Sequence, residues 1–406
     1  MESFPSDLHP DKLVSLDMSH SSLKVSPCTK HLRCLEILDL SYCESLTRTS
    51  NFTGSPMLKK LSFRGGSSLT KVDSSIGYLE VLVELDFTGC KNVRRLPESI
   101  CKLKSLEKLY LSDCTNLQQL PADLGNLKRL TALYAMRTAI TQLPVSCGLL
   151  KNLQLLEVGN GCKLLQPKSR LSIISSFLVS KDRDILPSSI TNLPYLEVLK
   201  VSFFNLYQRD IPNCLDRLFS LKVLDLSGNN FHSLPFTLCH LSKLKTLSLY
   251  GCPNLLMLSN LPCNLEALST RNCMSLERLP DLSSANRLQQ LDFHDCRKLV
   301  EIRGLEKLKY LKYMNAIGCI LTKNALAEGF FKVGCSVTDI SVRYESYAWV
   351  SYMPKRHFKR PIKGGEKMMV SIKERHSSKE GLAKKFGVHL LFATSPKGKS
   401  FPFSRL

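Results

Sequence analysis

A leucine frame recurs along most of this chain and restricts the folds that the chain can adopt. Residues 106–120 read LEKLYLSDCTNLQQL, and closely similar stretches begin at Leu35, Leu82, Leu221 and Leu288. Self-similarity at a fixed period indicates a stack of equivalent units, because each unit has to bury its apolar face against the next. The frames begin at Leu13, Leu35, Leu58, Leu82, Leu106, Leu130, Leu153, Leu196, Leu221, Leu244, Leu265, Leu288 and Leu311.

The spacing and the alternation within a frame predict the fold class. Neighbouring frames lie within the range of about 20 to 29 residues that is typical of leucine-rich repeats, with one wider gap after Leu153. Alternation puts Leu109 and Leu111 on one side of a short strand, and Tyr110 and Ser112 on the other. We therefore predict an α/β solenoid, a leucine-rich repeat horseshoe with a parallel concave sheet.

A second motif, LPxxI/L, predicts the connection that follows each strand. It recurs from Leu96-Pro97 to Leu279-Pro280. Proline ends the extended segment at little cost where no ladder hydrogen bond is needed. The apolar residues that follow it predict a short helix or helical turn behind the sheet.

The frames and the composition predict three regions. Residues 1–12 form a lead-in, and residues 13–325 form the solenoid, which is irregular at residues 166–183 through a degenerate repeat or an inserted loop. Residues 326–406 alternate in the manner of strands and predict a small or partial β-sandwich domain. The formal net charge is +21, and residues 343–406 hold 15 Lys+Arg against 4 Asp+Glu. No leader or membrane span is expected.

The cysteines recur at one position of the frame. Seven of the 16 fall eight residues after the first leucine of a frame: Cys43, Cys90, Cys114, Cys252, Cys273, Cys296 and Cys319. A small, weakly polar side chain suits a buried turn, so we interpret these cysteines as reduced and structural. Their spacing is unlike that of a zinc site, and reduced thiols favour a cytoplasmic or nuclear setting.

The chain holds no recognisable catalytic motif. The Gly398-Lys399-Ser400 triplet has Ala393 where a phosphate-binding loop needs glycine, and HExxH does not occur. We expect no enzymatic activity and no cofactor.

The outward positions of the strands are the candidate binding surface. Asp17, Asp39, Asp86, Asp225 and Asp292 share one column. Aromatic and arginine side chains are concentrated at protein interfaces, so a protein-binding role is predicted for the face. Its candidate residues are Arg64, Tyr110, Tyr134, Arg137, Lys200, Phe203, Tyr250, Arg271 and His294.

The basic C-terminal region contains a second candidate surface, formed by Trp349, Tyr352, Lys355 and Arg356. Nucleic acid or an anionic surface would be attracted by such a cluster. No nucleic-acid-binding signature accompanies it, which favours a solvated basic loop.

The segments LDLSYCESLTR and LEKLYLSDCTNLQQLPADLGNLKRL closely resemble plant intracellular immune receptors, the TIR-type nucleotide-binding leucine-rich repeat disease resistance proteins. WVSYMPKRHF and LAKKFGVHLLF resemble part of that family's C-terminal jelly-roll/Ig-like domain (C-JID), here shortened. The resemblance implies recognition of a pathogen effector or a guarded host protein, or restraint of signalling domains. Whether the chain acts alone or pairs with a full-length immune receptor stays open. TIR and nucleotide-binding domains are absent, so neither NAD⁺ cleavage nor ATP/ADP switching is expected. An extracellular receptor-like repeat protein is the alternative.

Overall fold

The computed structural model describes residues 12–26, 32–160, 185–316, 318–319, 339–341 and 369–371. Within the chain two compact units are distinguished, residues 1–224 and residues 225–406. The irregular stretch predicted at residues 166–183 lies outside the described residues, and so does most of the region predicted as a β domain.

Each frame forms one short strand that begins two residues after its first leucine, as predicted. The strands of the first unit are β1 (Ser15–Asp17), β2 (Ile37–Asp39), β3 (Lys60–Ser62), β4 (Glu84–Asp86), β5 (Lys108–Tyr110), β6 (Ala132–Met136), β7 (Leu155–Gly159) and β8 (Val198–Ser202), and β9 (Val223–Asp225) ends at the first residue of the second unit. The second unit continues with β10 (Thr246–Ser248), β11 (Ala267–Ser269), β12 (Gln290–Asp292), β13 (Tyr313–Asn315), β14 (Asp339–Ser341) and β15 (Met369–Ser371).

Pairing is parallel, and equivalent frame positions face each other. Leu85 is opposite Leu109, and Leu109 is opposite Leu133. Both Leu109 and Leu111 are fully buried, whereas Tyr110 and Ser112 are half-buried on the other side. Burying one leucine contributes about 1.5–3 kcal/mol, so the repeated leucines supply most of the stabilisation. The predicted solenoid is confirmed in each unit.

Short 3₁₀ helices follow the prolines, as the LPxxI/L motif predicts. Pro97, Pro144, Pro187 and Pro235 are extended residues that cap such helices. The described helices are Ser74–Tyr78, Glu98–Lys102, Leu124–Asn126, Val145–Leu149, Ser188–Asn192, Gln208–Asp210 and Leu215–Arg217 in the first unit, and Phe236–His240, Leu282–Ser284 and Leu305–Lys307 in the second. None of the helices in the described residues has the length and hydrophobicity that crossing a membrane requires.

The repeated cysteines form a ladder of free, buried thiols, which confirms the interpretation made from their spacing. Each thiol donates to a main-chain carbonyl of the preceding repeat; the distances are 3.1 Å from Cys90 to Phe63 and from Cys114 to Phe87, and 3.0 Å from Cys273 to Leu249. Burial raises the pKa of the Cys114 thiol to about 12. The Cys114 thiol therefore stays protonated at neutral pH and serves as a structural donor.

Two strands are described in the C-terminal region. β14 pairs with β13 and β15 with β14, both in parallel register. The rest of the predicted partial β-sandwich lies outside the described residues and stays a prediction.

Candidate protein-binding surface

The aspartate column predicted as part of the binding face has a structural task instead. The carboxylates of Asp17, Asp39 and Asp86 each accept a hydrogen bond from the main-chain N–H two residues later, at 2.8, 2.8 and 2.7 Å. Asp225 and Asp292 do the same at 2.9 and 3.1 Å. Such a bond satisfies a donor where the chain turns out of the strand. Each of these five strands ends at its aspartate.

Three neighbouring strands are longer than the other described strands. Tyr134, Glu157 and Lys200 occupy the equivalent position in β6, β7 and β8, and these three strands run for five residues rather than three. The extra pairing joins Met136 to Gly159 and Gly159 to Ser202. The sheet of the first unit is therefore widest at β6–β8.

Two tyrosines lie at the start of this wide region. The rings of Tyr110 and Tyr134 stack with centroids 4.9 Å apart and an interplanar angle of 3°. Burial raises the pKa of Tyr110 to about 12, and the nearby carboxylate of Glu84, which is hydrogen-bonded to the phenol, adds to the rise. Stacking fixes both rings before any partner arrives, which lowers the entropy that binding would cost.

Charged residues beside the tyrosines are already paired. Lys200 Nζ lies 2.6 Å from a carboxylate oxygen of Glu157. The guanidinium of Arg137 donates two hydrogen bonds of 2.5 Å to the carboxylate of Asp113. This contact holds the pKa of Asp113 below its ordinary value. The Lys200–Glu157 pair therefore fixes one positive and one negative charge on the strand face, and the Arg137–Asp113 pair does so in the turn after β6.

An apolar row completes the region. Ala132, Leu155, Val198 and Val223 take the first outward position of β6 to β9, and all four are buried or half-buried. We define the β5–β8 surface as Tyr110, Tyr134, Met136, Glu157 and Lys200 together with this row. It combines aromatic rings, aliphatic side chains and one internal ion pair, which is the composition typical of the centre of a protein interface.

Arg137 and Phe203 are not on the strand face where they were predicted. Each directly follows its strand and has a positive φ, 57° for Arg137 and 54° for Phe203. Tyr42 and Asp113 share this position in their repeats, at 58° and 63°. The position requires the left-handed region because the chain turns sharply there, and it forms a row along the edge of the sheet.

The remaining candidates do not join the β5–β8 surface. Arg64 is exposed in the turn after β3. Tyr250, Arg271 and His294 lie in the second unit at equivalent positions of three successive repeats, and the side-chain amide of Asn272 approaches the Tyr250 hydroxyl at 3.5 Å. Trp349, Tyr352, Lys355 and Arg356 lie outside the described residues.

The acidic residues that contact three of the candidate binding residues were not predicted from the sequence. Glu84, Asp113 and Glu157 were not among the candidates, although each contacts one or lies beside one. Asp113 precedes Arg137 by 24 residues, one repeat, and that spacing could have identified the pair. In the described part of the chain, no three His, Cys, Asp or Glu side chains are grouped to hold a metal ion.

Each repeat of roughly 24 residues contributes one strand, and each strand pairs in parallel with the strand of the next repeat. This arrangement defines the chain as a leucine-rich repeat protein. Residues 12–133 match a family described as a leucine-rich repeat region. Residues 78–302, more than half of the chain, match the family described as "Disease resistance protein RPS4B-like, leucine-rich repeats". The chain belongs to this family, which confirms the predicted kinship with plant disease resistance proteins.

Similar proteins support the same assignment. The chain is 30% identical over 330 residues to TMV resistance protein N of Nicotiana glutinosa, covering 68% of this chain and 29% of that protein. It is 32% identical over 361 residues to the disease resistance-like protein DSC1 of Arabidopsis thaliana, covering 74% of this chain and 29% of that protein. The chain thus spans less than a third of the length of these relatives.

Solved structures with the same fold include two Listeria monocytogenes proteins. The functional domain of InlJ, which includes a cysteine ladder, has a TM-score of 0.57 at 17% identity and covers 86% of this chain and 70% of that chain. An internalin, inlF, has a TM-score of 0.55 at 16% identity and covers 91% of this chain and 88% of that chain. At such low identity the likeness concerns the fold alone.

Proposed function

We propose that this chain is a recognition module of a plant immune receptor of the TIR type and binds a protein through the β5–β8 surface. The partner is a pathogen effector or a host protein that an effector modifies, and the module acts without catalysis. The observation that supports this proposal most strongly is the stacked pair Tyr110–Tyr134 beside the widest part of the sheet.

The physical reasons concern preorganisation and composition. Tyrosines supply a large contact area with few rotatable bonds, and interface energies are concentrated in a few such residues. Glu157 and Lys200 are paired before binding, so a partner would meet a fixed donor and acceptor instead of two mobile side chains. The strands beneath are rigid, because their leucines are buried.

A cytoplasmic or nuclear setting is part of the proposal. The described cysteines are free thiols, which persist in reducing compartments. An extracellular receptor-like protein would use disulfides, so the ladder favours the cytoplasm over that alternative. Binding of nucleic acid through the basic C-terminal region concerns residues outside the described ones, and nothing here favours it.

The test is co-immunoprecipitation from plant leaf tissue with a panel of effectors from pathogens of the source plant. The double variant Tyr110→Ala/Tyr134→Ala is compared with Tyr78→Ala/Tyr195→Ala, whose tyrosines are 67% and 58% exposed and lie off the strands. For an effector that the wild-type chain captures, the first variant loses binding by more than about tenfold, because central aromatic residues of interfaces cost about 2 kcal/mol or more when truncated.

The control pair keeps wild-type binding if the surface is assigned correctly. Equal loss in both variants, or undiminished binding by the Tyr110→Ala/Tyr134→Ala variant with its circular dichroism intact, would contradict the proposed surface.

A further inference from the structure

In several of the described repeats, two neighbouring residues are exposed at the end of the segment that follows the strand. In the second, third and fourth repeats they are bracketed by buried residues, as Thr47 and Arg48 are by Leu46 and Thr49. The equivalent pairs in the first five repeats are Lys24–Val25, Thr47–Arg48, Thr70–Lys71, Arg94–Arg95 and Gln118–Gln119, and all of these residues except the half-buried Val25 are exposed. Five of these ten residues are basic and none is acidic.

Main-chain hydrogen bonds hold these positions in line. Isolated parallel bridges join Val25 to Arg48 and Arg48 to Lys71. Gln118 N–H donates to the carbonyl of Arg94 at 3.2 Å, which joins the equivalent positions of the fourth and fifth repeats. Neighbouring chains in such a ladder are about 4.8 Å apart, so the bridged residues Arg48 and Lys71 are separated by about that distance. We call Lys24, Arg48, Lys71, Arg94 and Arg95 the basic stripe.

The basic stripe is not neutralised by the described part of the chain. Elsewhere, exposed lysines pair with glutamates of neighbouring repeats, such as Lys59 with Glu36 at 2.8 Å and Lys104 with Glu80 at 3.1 Å. Among the described residues, no member of the basic stripe forms an ion pair. The carboxylate of Asp73 lies near Lys71, but it accepts its hydrogen bond from Ser75.

The second unit has the opposite pattern at the same frame positions. The equivalent pairs there are Leu256–Met257, Glu277–Arg278 and Val300–Glu301, which hold two acidic residues and one basic residue; all are exposed except the half-buried Glu301. Arg278 is bridged to Glu301, and Glu301 also pairs with Arg303 at 3.0 Å. Basic residues at these positions are therefore not a requirement of the repeat.

We propose that the basic stripe binds an acidic polypeptide segment in extended conformation, independently of the β5–β8 surface. Guanidinium groups bind carboxylates in a two-bond geometry, and three of the five side chains are arginines. Alternate side chains of an extended peptide lie on one face and are about 6.6 Å apart. The long, exposed side chains of the basic stripe can reach acidic groups at that spacing. Proteins that bind single-stranded nucleic acid add aromatic stacking platforms, and none of the ten positions is aromatic.

The test measures fluorescence anisotropy of a labelled ten-residue polyglutamate peptide with the full chain. The variant Arg48→Gln/Lys71→Gln/Arg95→Gln binds about tenfold more weakly than wild type, the sum expected from three exposed charge pairs. The matched control Lys59→Gln/Lys104→Gln/Lys222→Gln removes the same charge from lysines already paired with glutamates, and it stays within about twofold of wild type. Affinity for wild type falls steeply between about 50 and 500 mM salt, because the Debye length shortens.

Equal weakening in both variants would overturn the proposal, because it would assign binding to net charge alone. Equal affinity of wild type and the Arg48→Gln/Lys71→Gln/Arg95→Gln variant would overturn it as well. A twenty-residue oligothymidylate that binds wild type more tightly than polyglutamate, and loses that binding in the same variant, would assign the stripe to nucleic acid instead.

Discussion

Replacing Leu109 by alanine tests whether the stacked leucines stabilise the chain. Leu109 is fully buried in β5 between Leu85 and Leu133. The substitution removes three carbon atoms, about 2.4 kcal/mol at 0.8 kcal/mol each, and leaves a cavity that rigid neighbouring repeats fill poorly. We expect a loss of about 3 kcal/mol in the free energy of unfolding.

The adjacent residue supplies the control. Lys108 belongs to the same strand but is exposed on the other side, so Lys108→Ala should change stability by less than about 0.5 kcal/mol. Urea unfolding followed by circular dichroism compares the two variants. Native-state hydrogen exchange gives a local readout: the Leu111 N–H, which donates to Tyr134 at 2.6 Å, should exchange about a hundredfold faster in Leu109→Ala.

A loss below about 1 kcal/mol for Leu109→Ala, or an equal loss for Lys108→Ala, would contradict the burial described for β5. Either result would mean that the two sides of β5 are not buried and exposed as described. A changed slope of the urea transition would point to lost cooperativity within the repeat array, and the exchange rate would then decide.

Three further predictions concern single residues. The Tyr110 phenol should ionise near pH 12, measured as the ultraviolet absorbance difference between wild type and Tyr110→Phe, and Glu84→Gln should lower that pKa. The stability that the protonated phenol contributes to the folded chain is lost as pH rises from 10 to about 12. Ionisation near pH 10 would contradict the packing described. Thiol titration of the native chain should label the exposed Cys34 at once and Cys114 only on unfolding, whereas prompt labelling of both would exclude a buried ladder. Gly159→Ala should destabilise the chain by about 1–3 kcal/mol, because its Cβ would clash with the main-chain oxygen of Ser202 in β8. An unchanged urea midpoint would show that the sheet is looser there.

The strands could be predicted from the sequence because burial repeats with the chain. Leu109 has an equivalent in every frame, and one residue type at one interval has one low-energy arrangement, a stack of parallel strands. The positions of the buried cysteines could be predicted for the same reason, because they also recur at one place in the repeat. Cys114 could be assigned as a free structural thiol from its offset alone, and the structure adds its acceptor, the Phe87 carbonyl.

The outward residues were predicted less well, because sequence spacing does not specify their local task. Asp86 was placed in an outward column without a local role, and it holds the turn after β4. Arg137 looked like part of the strand face, yet it occupies a left-handed turn and pairs with Asp113. Both outcomes depend on where the chain leaves the strand, and that point depends on side-chain hydrogen bonds that a periodic pattern does not encode.

Tyr110 and Tyr134 were predicted individually as binding residues, but their contact was not. They are 24 residues apart and equivalent in register, so the stack is a consequence of the repeat length. The greater length of β6, β7 and β8 was not predicted either. The loss of the turn-capping aspartate does not explain it, because β5 has Tyr110 at the same position and spans only three residues.

Hydroxyl-radical footprinting read by mass spectrometry tests most directly whether the β5–β8 surface is the place of recognition. The full chain is oxidised alone and with a captured effector, and labelling is compared for Tyr110 and Tyr134 against Tyr78 and Tyr195. We predict that the partner protects Tyr110 and Tyr134 and leaves the two tyrosines on the connecting segments unchanged. Protection of Tyr78 and Tyr195, with Tyr110 and Tyr134 labelled as in the free chain, would contradict the account.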